Sequence, residues 1–327
     1  MKSDNPPLNH HYIPQFLLHE WTVGGKLHRF QKPTPGKIVE HRKPTRAVGF
    51  RERFYEIPEY PPETAQSIEQ GFMKTLDDTA AIAHKLLLNN DFTDLDQSNR
   101  SAWTRFLLSL MLRTPDNLAA YKAGFTAVYD TPTPDIQAKY EAQKAPHDPP
   151  TAEEFLKLHQ PMAPLTAALT QLPHVMQNEG LGQHIIKMGW SVADVSRGTF
   201  LISDDPLITS NGLGNDIGHI VLPITPTKLF IATNNKKTLD TIIAMGDREL
   251  VKTANAQIVG RARHFVGAHD ASQRRFIENR FGLAPQTSIA KLFARKYGAA
   301  PEDVGPRDRF RESSRSASAQ LQTLRSD

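Results

Sequence analysis

The segment NHHYIPQFLLHEW, from Asn9 to Trp21, places side chains that can move protons near the start of the chain. His10 and His11 are adjacent, so on a regular backbone their rings diverge and only one can face a given ligand. We take His11 as the general acid or base, with Gln15 as a polar neighbour, because an imidazole with a near-neutral pKa suits that chemistry. A buried histidine that is satisfied by backbone groups is the structural alternative.

Asp204 is the second candidate, because it closes a predicted strand that begins with TFLI. A strand end holds the backbone rigidly, so a carboxylate there can bind a metal or orient the imidazole. The alternative is an Asx turn, in which the aspartate caps its own backbone before Pro206. Both interpretations remain open for Asp204.

Glu69 and Arg113 form the third candidate group. Glu69 lies beside the apolar stripe of a predicted helix, so it should be half-buried and should need a cation or donors. Arg113, at the end of the next helix, can supply that cation, in a pair that is either structural or catalytic. Asp77 and His84 are seven residues apart and share a helical face, so both could point at one ligand.

A basic segment follows the histidines. Between Gly24 and Phe54 there are nine basic and two acidic residues, a local excess of seven against a net charge of +4 for the whole chain. Aromatic residues are interleaved with these cations, as in surfaces that pair phosphates and stack bases. The alternative is a solvated arm that its aromatics pin to the body. The candidate nucleic-acid contacts are Lys32, Arg42, Lys43, Arg46 and Arg51.

Composition excludes several classes of site. The 327 residues include no cysteine, so thiol nucleophiles, disulfides and thiolate metal sites are excluded. A divalent metal held by histidine and aspartate is the cofactor that the remaining residue types would allow. His19-Glu20 lacks the second histidine of a zinc protease, since position 23 is valine. The chain also has no GxSxG elbow and no Walker loop.

The elements that must position these residues predict an α+β protein. Apolar residues recur at helical spacing in residues 65–188 and 247–298, and short β-branched segments fill residues 189–235. We predict a mainly helical body that includes a helix at 287–297, one antiparallel sheet of about four strands, a basic extended N-terminal arm at 24–58, and a surface connection or mobile excursion at 131–150. One domain should cover 1–300, and the polar, serine-rich residues 301–327 should be disordered.

The start of the chain has no apolar run after its first lysine, and no stretch is long enough to span a bilayer. We therefore expect a cytoplasmic protein that does not bind membranes. The oligomeric state does not follow from the sequence.

The order of these segments resembles the bacterial DUF4238 family over roughly residues 10 to 268. The most specific parts are HYIPQF and ISDDP, and segments such as RERFYEI and FLLSLMLRTP follow the same order. In the second motif, Ile202 replaces a threonine and Asp205 an asparagine. The first glutamate of the family's long helix falls on Glu69, and Asp77 takes the place of a second glutamate. The resemblance implies an architecture and no established chemistry.

Three functions are consistent with these residues. The first is a nuclease-like, phosphodiester-directed enzyme acting on RNA or DNA, in which the basic segment leads the substrate to His11 and Asp204. The second is a non-catalytic module that binds nucleic acid or an acidic protein, and the third is a hydrolase for a small ligand. We expect the first, by a narrow margin over the binding module.

Overall fold

The computed structural model describes residues 8–210 and 212–284. The predicted tail at 301–327 and a helix predicted at 287–297 lie outside the described residues. Within them the predicted α+β class is confirmed. The helices are α1 (Gln15–His19), α2 (Pro62–Ala65), α3 (Lys74–Leu88), α4 (Gln97–Leu112), α5 (Pro115–Tyr129), α6 (Pro134–Gln143), α7 (Ala152–His159), α8 (Ala163–Met176), α9 (Glu179–Lys187), α10 (Lys236–Ile243), α11 (Gly246–Arg261) and α12 (Arg274–Glu278).

The strands are short and pair antiparallel in three sheets. Strand β1 pairs with β4, a second sheet has the order β3-β2-β10-β6, and a third has the order β5-β9-β8-β7. The strands are β1 (Asn9–His11), β2 (Leu27–Thr34), β3 (Lys37–Lys43), β4 (Phe50–Glu52), β5 (Gly189–Asp194), β6 (Ile202–Ser203), β7 (Ile208–Thr209), β8 (His219–Pro223), β9 (Lys228–Thr233) and β10 (Val266–Ala268).

The prediction of an extended basic arm at 24–58 is wrong. Residues of this segment form the β2–β3 hairpin, and β2 also pairs with β10, where Phe30 lies opposite Val266. Phe30 is completely buried, so the hairpin is part of the core and not an appendage. The local sequence, rich in proline and basic residues, does not indicate a buried strand. The partner strand β10 lies near the other end of the described chain, so neighbouring residues could not reveal the pairing.

The prediction of a surface connection at 131–150 is also wrong in part, because this stretch contains α6. Thr133 caps the helix by accepting a hydrogen bond from the Ile136 N–H, and Pro134 occupies the first helical turn. Proline is well suited to that position, since its missing N–H would have no helical partner there. Pro134 therefore belongs to the start of α6, although the proline-rich composition had indicated a loop.

The regular helix predicted from residue 65 is instead divided into the end of α2, a π-helical segment (Ile68–Met73) and α3, whereas α4 is one regular helix as its periodicity predicts. Asp96 caps α4 by accepting from the Asn99 N–H, and Trp103 and Phe106 are buried against the rest of the core. Arg113 follows α4 directly, and Thr114 then caps α5. The break between the two helices therefore fixes Arg113 inside the protein, where it is completely buried.

None of the helices in the described ranges combines the length and the apolar character that a membrane span requires.

Gly49 holds the N-terminal segment in place. Its carbonyl accepts hydrogen bonds from the N–H groups of Tyr12 (2.8 Å) and Ile13 (3.1 Å), directly after β1. Its φ is +69°, in the left-handed region that favours glycine, and an added Cβ would lie 3.0 Å from the Ile13 Cβ. The position of His11 therefore depends on a close approach that only glycine permits.

We predict that Gly49→Ala destabilises the protein more than Gly36→Ala. Gly36, with φ +78°, has no neighbour within 4 Å of an added Cβ, so its replacement should cost only the backbone strain of about 1 kcal/mol. Gly49→Ala should cost a further 1–3 kcal/mol, roughly, from overpacking against Ile13. Urea unfolding of both variants measures the difference, and equal losses would mean that Ile13 moves aside freely.

Candidate functional site

Five polar side chains meet where the N-terminal segment packs on the helices. We call them the His11 cluster: His11 of β1, Tyr55 after β4, Glu69, Asp77 of α3, and Arg113 at the end of α4. The other four members are all within electrostatic reach of Arg113. Elements that are far apart in the sequence therefore bring these side chains close to the buried Arg113 guanidinium.

Arg113 is the innermost charged group. Its Nη1 donates to the Asp77 Oδ1 at 2.9 Å, and its guanidinium carbon lies 5.2 Å from the centre of the Phe106 ring. Its Nε and Nη2 are buried and have no hydrogen-bond partner. A buried donor without an acceptor is costly, and the Nε/Nη2 edge is the one that binds two oxygens of an oxyanion. The guanidinium thus has a hydrogen-bond partner at one end and unpaired donors along the Nε/Nη2 side.

Glu69 lies on a π-helical segment, Ile68–Met73, that leads into α3. Such segments are rare and frequently occur at functional sites. Burial and the charge of Asp77 raise the pKa of Glu69 to about 7, whereas Arg113 and the His11 backbone N–H act in the opposite direction. Its Oε2 is buried without a donor. A carboxyl group with this pKa can take up and release a proton near neutrality.

The structure leaves His11 neutral. Burial and the nearby Arg113 lower the pKa of its imidazole to about 4, against the near-neutral value that the sequence led us to expect. Its Nε2 is buried without a partner, and its ring lies 5.8 Å from that of Phe50. At pH 7 the neutral imidazole can form a hydrogen bond, and the group of this cluster with a pKa near neutrality is Glu69.

Tyr55 is completely buried, and its hydroxyl has no partner. Burial raises the pKa of this phenol well above 10, so the hydroxyl keeps its proton. Its ring stacks on His10 at 5.9 Å, and its N–H donates to the His10 Nδ1 at 3.0 Å. His10 therefore carries its proton on Nε2, which faces the Gln66 Oε1 at 3.4 Å.

Two further candidates make contacts outside the His11 cluster. Gln15 lies on α1, and its Oε1 accepts a hydrogen bond of 3.1 Å from the Thr45 hydroxyl. His84 stacks on Trp103 at 5.8 Å, and its Nε2 lies 3.2 Å from the Ile224 carbonyl oxygen. The structure thus separates Asp77 and His84, although both belong to α3.

Asp204 supports a loop. Its Oδ1 accepts from the backbone N–H groups of Arg263 (3.1 Å), His264 (3.1 Å) and Phe265 (3.0 Å), and its Oδ2 accepts from Arg263 as well. Burial raises the pKa of Asp204, and these N–H groups oppose that shift. Its carboxylate therefore fixes the chain between α11 and β10, in place of the predicted metal-binding or orienting role.

Within residues 8–210 and 212–284, no three histidine, aspartate or glutamate side chains are grouped so as to hold a metal ion.

Three of the five predicted nucleic-acid contacts form hydrogen bonds within the protein. Lys32 donates to the Phe281 carbonyl (3.4 Å), Arg42 to the Val23 carbonyl (2.6 Å), and Arg51 lies 3.3 Å from the His264 Nε2. Lys43 and Arg46 lie on either side of Pro44, where β3 ends. Arg46 and Arg51 are exposed.

Sequence reasoning identified His11, Glu69 and Arg113 but missed two members of the His11 cluster. Tyr55 was treated as one of the aromatics of an arm, and Asp77 was assigned to His84 instead of Arg113. The segment RERFYEI already belongs to the ordered motifs of the family, and it was the available indication for Tyr55.

Comparison with protein-family models shows the family to which the chain belongs. The model described as a protein of unknown function, DUF4238, matches residues 9–272. The chain belongs to the DUF4238 family. The matched region of this family contains every member of the His11 cluster. Comparisons with curated proteins and with solved structures give no match.

We predict that Asp204→Asn destabilises the fold by about 2–3 kcal/mol, because an amide NH₂ would face backbone donors. Urea unfolding measures this loss. Asp216→Asn, at an exposed position, is the matched control and should change little. Equal stability of Asp204→Asn and the unmodified protein would contradict the role of Asp204 as a loop support.

We also predict that His84 contributes a pH dependence of stability. Burial lowers its pKa from 6.5 to about 4, so the unfolded chain binds this proton first, and the His84 contribution is lost as the pH falls from 6.5 towards 4. The stability difference between the unmodified protein and His84→Gln should therefore shrink over this range, with a slope approaching about 1.4 kcal/mol per pH unit.

Urea unfolding at a series of pH values measures that slope. The control is His147→Gln, since the His147 side chain is 88% exposed. A difference between the unmodified protein and His84→Gln that does not vary with pH would mean that His84 takes up a proton as easily in the fold as in the unfolded chain.

Proposed function

We propose that this protein is a hydrolase for anionic esters of the phosphodiester class, with the His11 cluster as its active site. The observation that carries the proposal is a set of five buried polar atoms without partners: His11 Nε2, Tyr55 OH, Glu69 Oε2, and Nε and Nη2 of Arg113. Folded proteins pair nearly all such atoms. A cluster of them around one cation indicates a ligand that supplies the missing partners.

An anionic substrate is favoured by Arg113. With Nη1 engaged by Asp77, the side edge of the guanidinium is directed and cannot rotate away. Two parallel N–H groups match two oxygens of a phosphate or carboxylate, and such charge-assisted bonds are strong where water is excluded. The substrate class therefore follows from the one arginine edge that the fold leaves open.

The hydrolytic step is assigned to Glu69. Its carboxylate removes a proton from water as the water oxygen attacks phosphorus, and the bond from phosphorus to the ester oxygen breaks. The departing alkoxide takes a proton from solvent, and Glu69 returns its own proton to solvent. A base with a pKa of about 7 balances proton affinity against the fraction that is ionised at neutral pH.

His11 and Tyr55 act as hydrogen-bonding groups in this proposal. The neutral imidazole and the protonated phenol add no net charge: the His11 Nε2 can accept a hydrogen bond from the attacking water, and the Tyr55 hydroxyl can donate to a phosphoryl oxygen. The exposed cations Arg46 and Arg51 belong to the segments on either side of the site and would attract an anion towards it.

We predict that the purified protein hydrolyses bis(p-nitrophenyl) phosphate, and that Glu69→Gln lowers kcat by about 10²–10⁴-fold. Arg113→Lys should lower it by about 10²–10³-fold, because the second oxyanion contact is lost. In the unmodified enzyme kcat/KM should rise with pH through about 7, as Glu69 loses its proton. Release of p-nitrophenol, with RNA and DNA oligonucleotides as further substrates, provides the measurement.

Two exposed residues of the same types serve as matched controls. Glu52→Gln on β4 and Arg105→Lys on α4 change exposed residues of the same types and should leave kcat unchanged. Full turnover by Glu69→Gln would contradict the assigned base. Absence of turnover of every ester by the unmodified protein would refute the hydrolase.

A further inference from the structure

The members of the His11 cluster differ in depth. Arg113 and Tyr55 are completely buried, whereas His11 and Glu69 are half-buried and the Asp77 side chain is 22% exposed. The open edge of Arg113 therefore lies at the inner end of the cluster. A ligand that reaches this edge must pass the partly exposed groups and leave the solvent behind.

An internal phosphate of a nucleic acid cannot meet that requirement easily. It carries the chain on both sides, so both flanking sugars would have to enter with it. A phosphate at a chain end or in a small molecule has a free side and needs to bring in only a few atoms. Nucleic-acid backbones are usually bound by surface cations, and here the exposed cations Arg46 and Arg51 lie outside the cluster.

We infer that the His11 cluster binds a small oxyanion, either free or at the end of a molecule, and excludes the internal phosphates of a polynucleotide. This inference rests on the proposed function and narrows its substrates to small or chain-terminal esters. Arg113 would contact two oxygens through Nε and Nη2, and the Tyr55 hydroxyl would donate to one of them. The internal cleavage of RNA or DNA would then not occur at this site.

The protonation state of Glu69 should affect the affinity of the site for an anion. Its Oε2 lies in the same cluster, so an oxyanion should bind more weakly when Glu69 is ionised than when Glu69 is protonated and can donate to it. The charges that act on Glu69 are Asp77 and Arg113, and these two oppose each other. Anion binding should therefore take up a proton and weaken as the pH rises above neutrality.

The test is isothermal titration calorimetry of the full-length protein with inorganic phosphate, acetate, thymidine 5′-monophosphate and a circular single-stranded DNA. We expect phosphate and the monophosphate to bind and to compete with each other. Circular DNA should leave the phosphate affinity unchanged. Arg113→Lys should weaken phosphate binding by at least about tenfold, whereas Arg105→Lys should not.

Tyr55→Phe provides a second variant that removes only one unpaired hydroxyl, so it tests the same site if Arg113→Lys fails to fold. It should weaken phosphate binding several-fold. Binding of acetate but not of phosphate would assign a carboxylate as the ligand and support a small-oxyanion site. Displacement of phosphate by circular DNA would overturn the inference, as would equal phosphate binding by both variants and the unmodified protein.

The outcomes for the two proposals can be told apart. Phosphate binding without turnover of any ester would refute the hydrolase and leave the oxyanion site in place. Cleavage of circular DNA that depends on Glu69 would retain the hydrolase and overturn the restriction to small or terminal groups. The absence of phosphate and acetate binding to the unmodified protein would overturn the site itself.

Discussion

The ion pair between Arg113 and Asp77 is the interaction on which the arrangement of the site depends. A buried guanidinium requires a counterion, because an unpaired charge in the interior costs several kcal/mol, roughly. Asp77 supplies it through one nitrogen, at 2.9 Å, and Phe106 lies beside the guanidinium. The pair joins α3 to the end of α4, so it holds the two central helices in register.

The Nε and Nη2 donors of Arg113 take no part in this pair and have no other hydrogen-bond partner. An arginine that served only to join two helices would be expected to have all its N–H groups paired, as the backbone N–H groups of residues 263–265 are paired by Asp204. In both places a buried charged group meets hydrogen-bonding partners, but the partners are complete only at Asp204. Asp204 is saturated and fixes a loop, whereas Arg113 retains an open edge.

Sequence patterns predicted the parts of this protein that depend on local spacing. The helical periodicity of the segments that contain α3 and α4 follows from neighbouring residues, and so does the expectation that a half-buried Glu69 needs a cation. The β2–β3 hairpin was missed because its partner β10 is distant in the chain. The π-helical turn under Glu69 was missed because an apolar stripe at three- and four-residue spacing predicts a regular helix.

The roles within the site required the three-dimensional environment. His11 and Glu69 have ordinary pKa values near 6.5 and 4.5, which favour the imidazole as the group that titrates near neutrality. Burial lowers the first pKa to about 4 and raises the second to about 7, because in each case it opposes the charged form. The order of the two groups is thereby reversed. Burial, together with the charges of Arg113 and Asp77, thus makes Glu69 and not His11 the group with a pKa near neutrality.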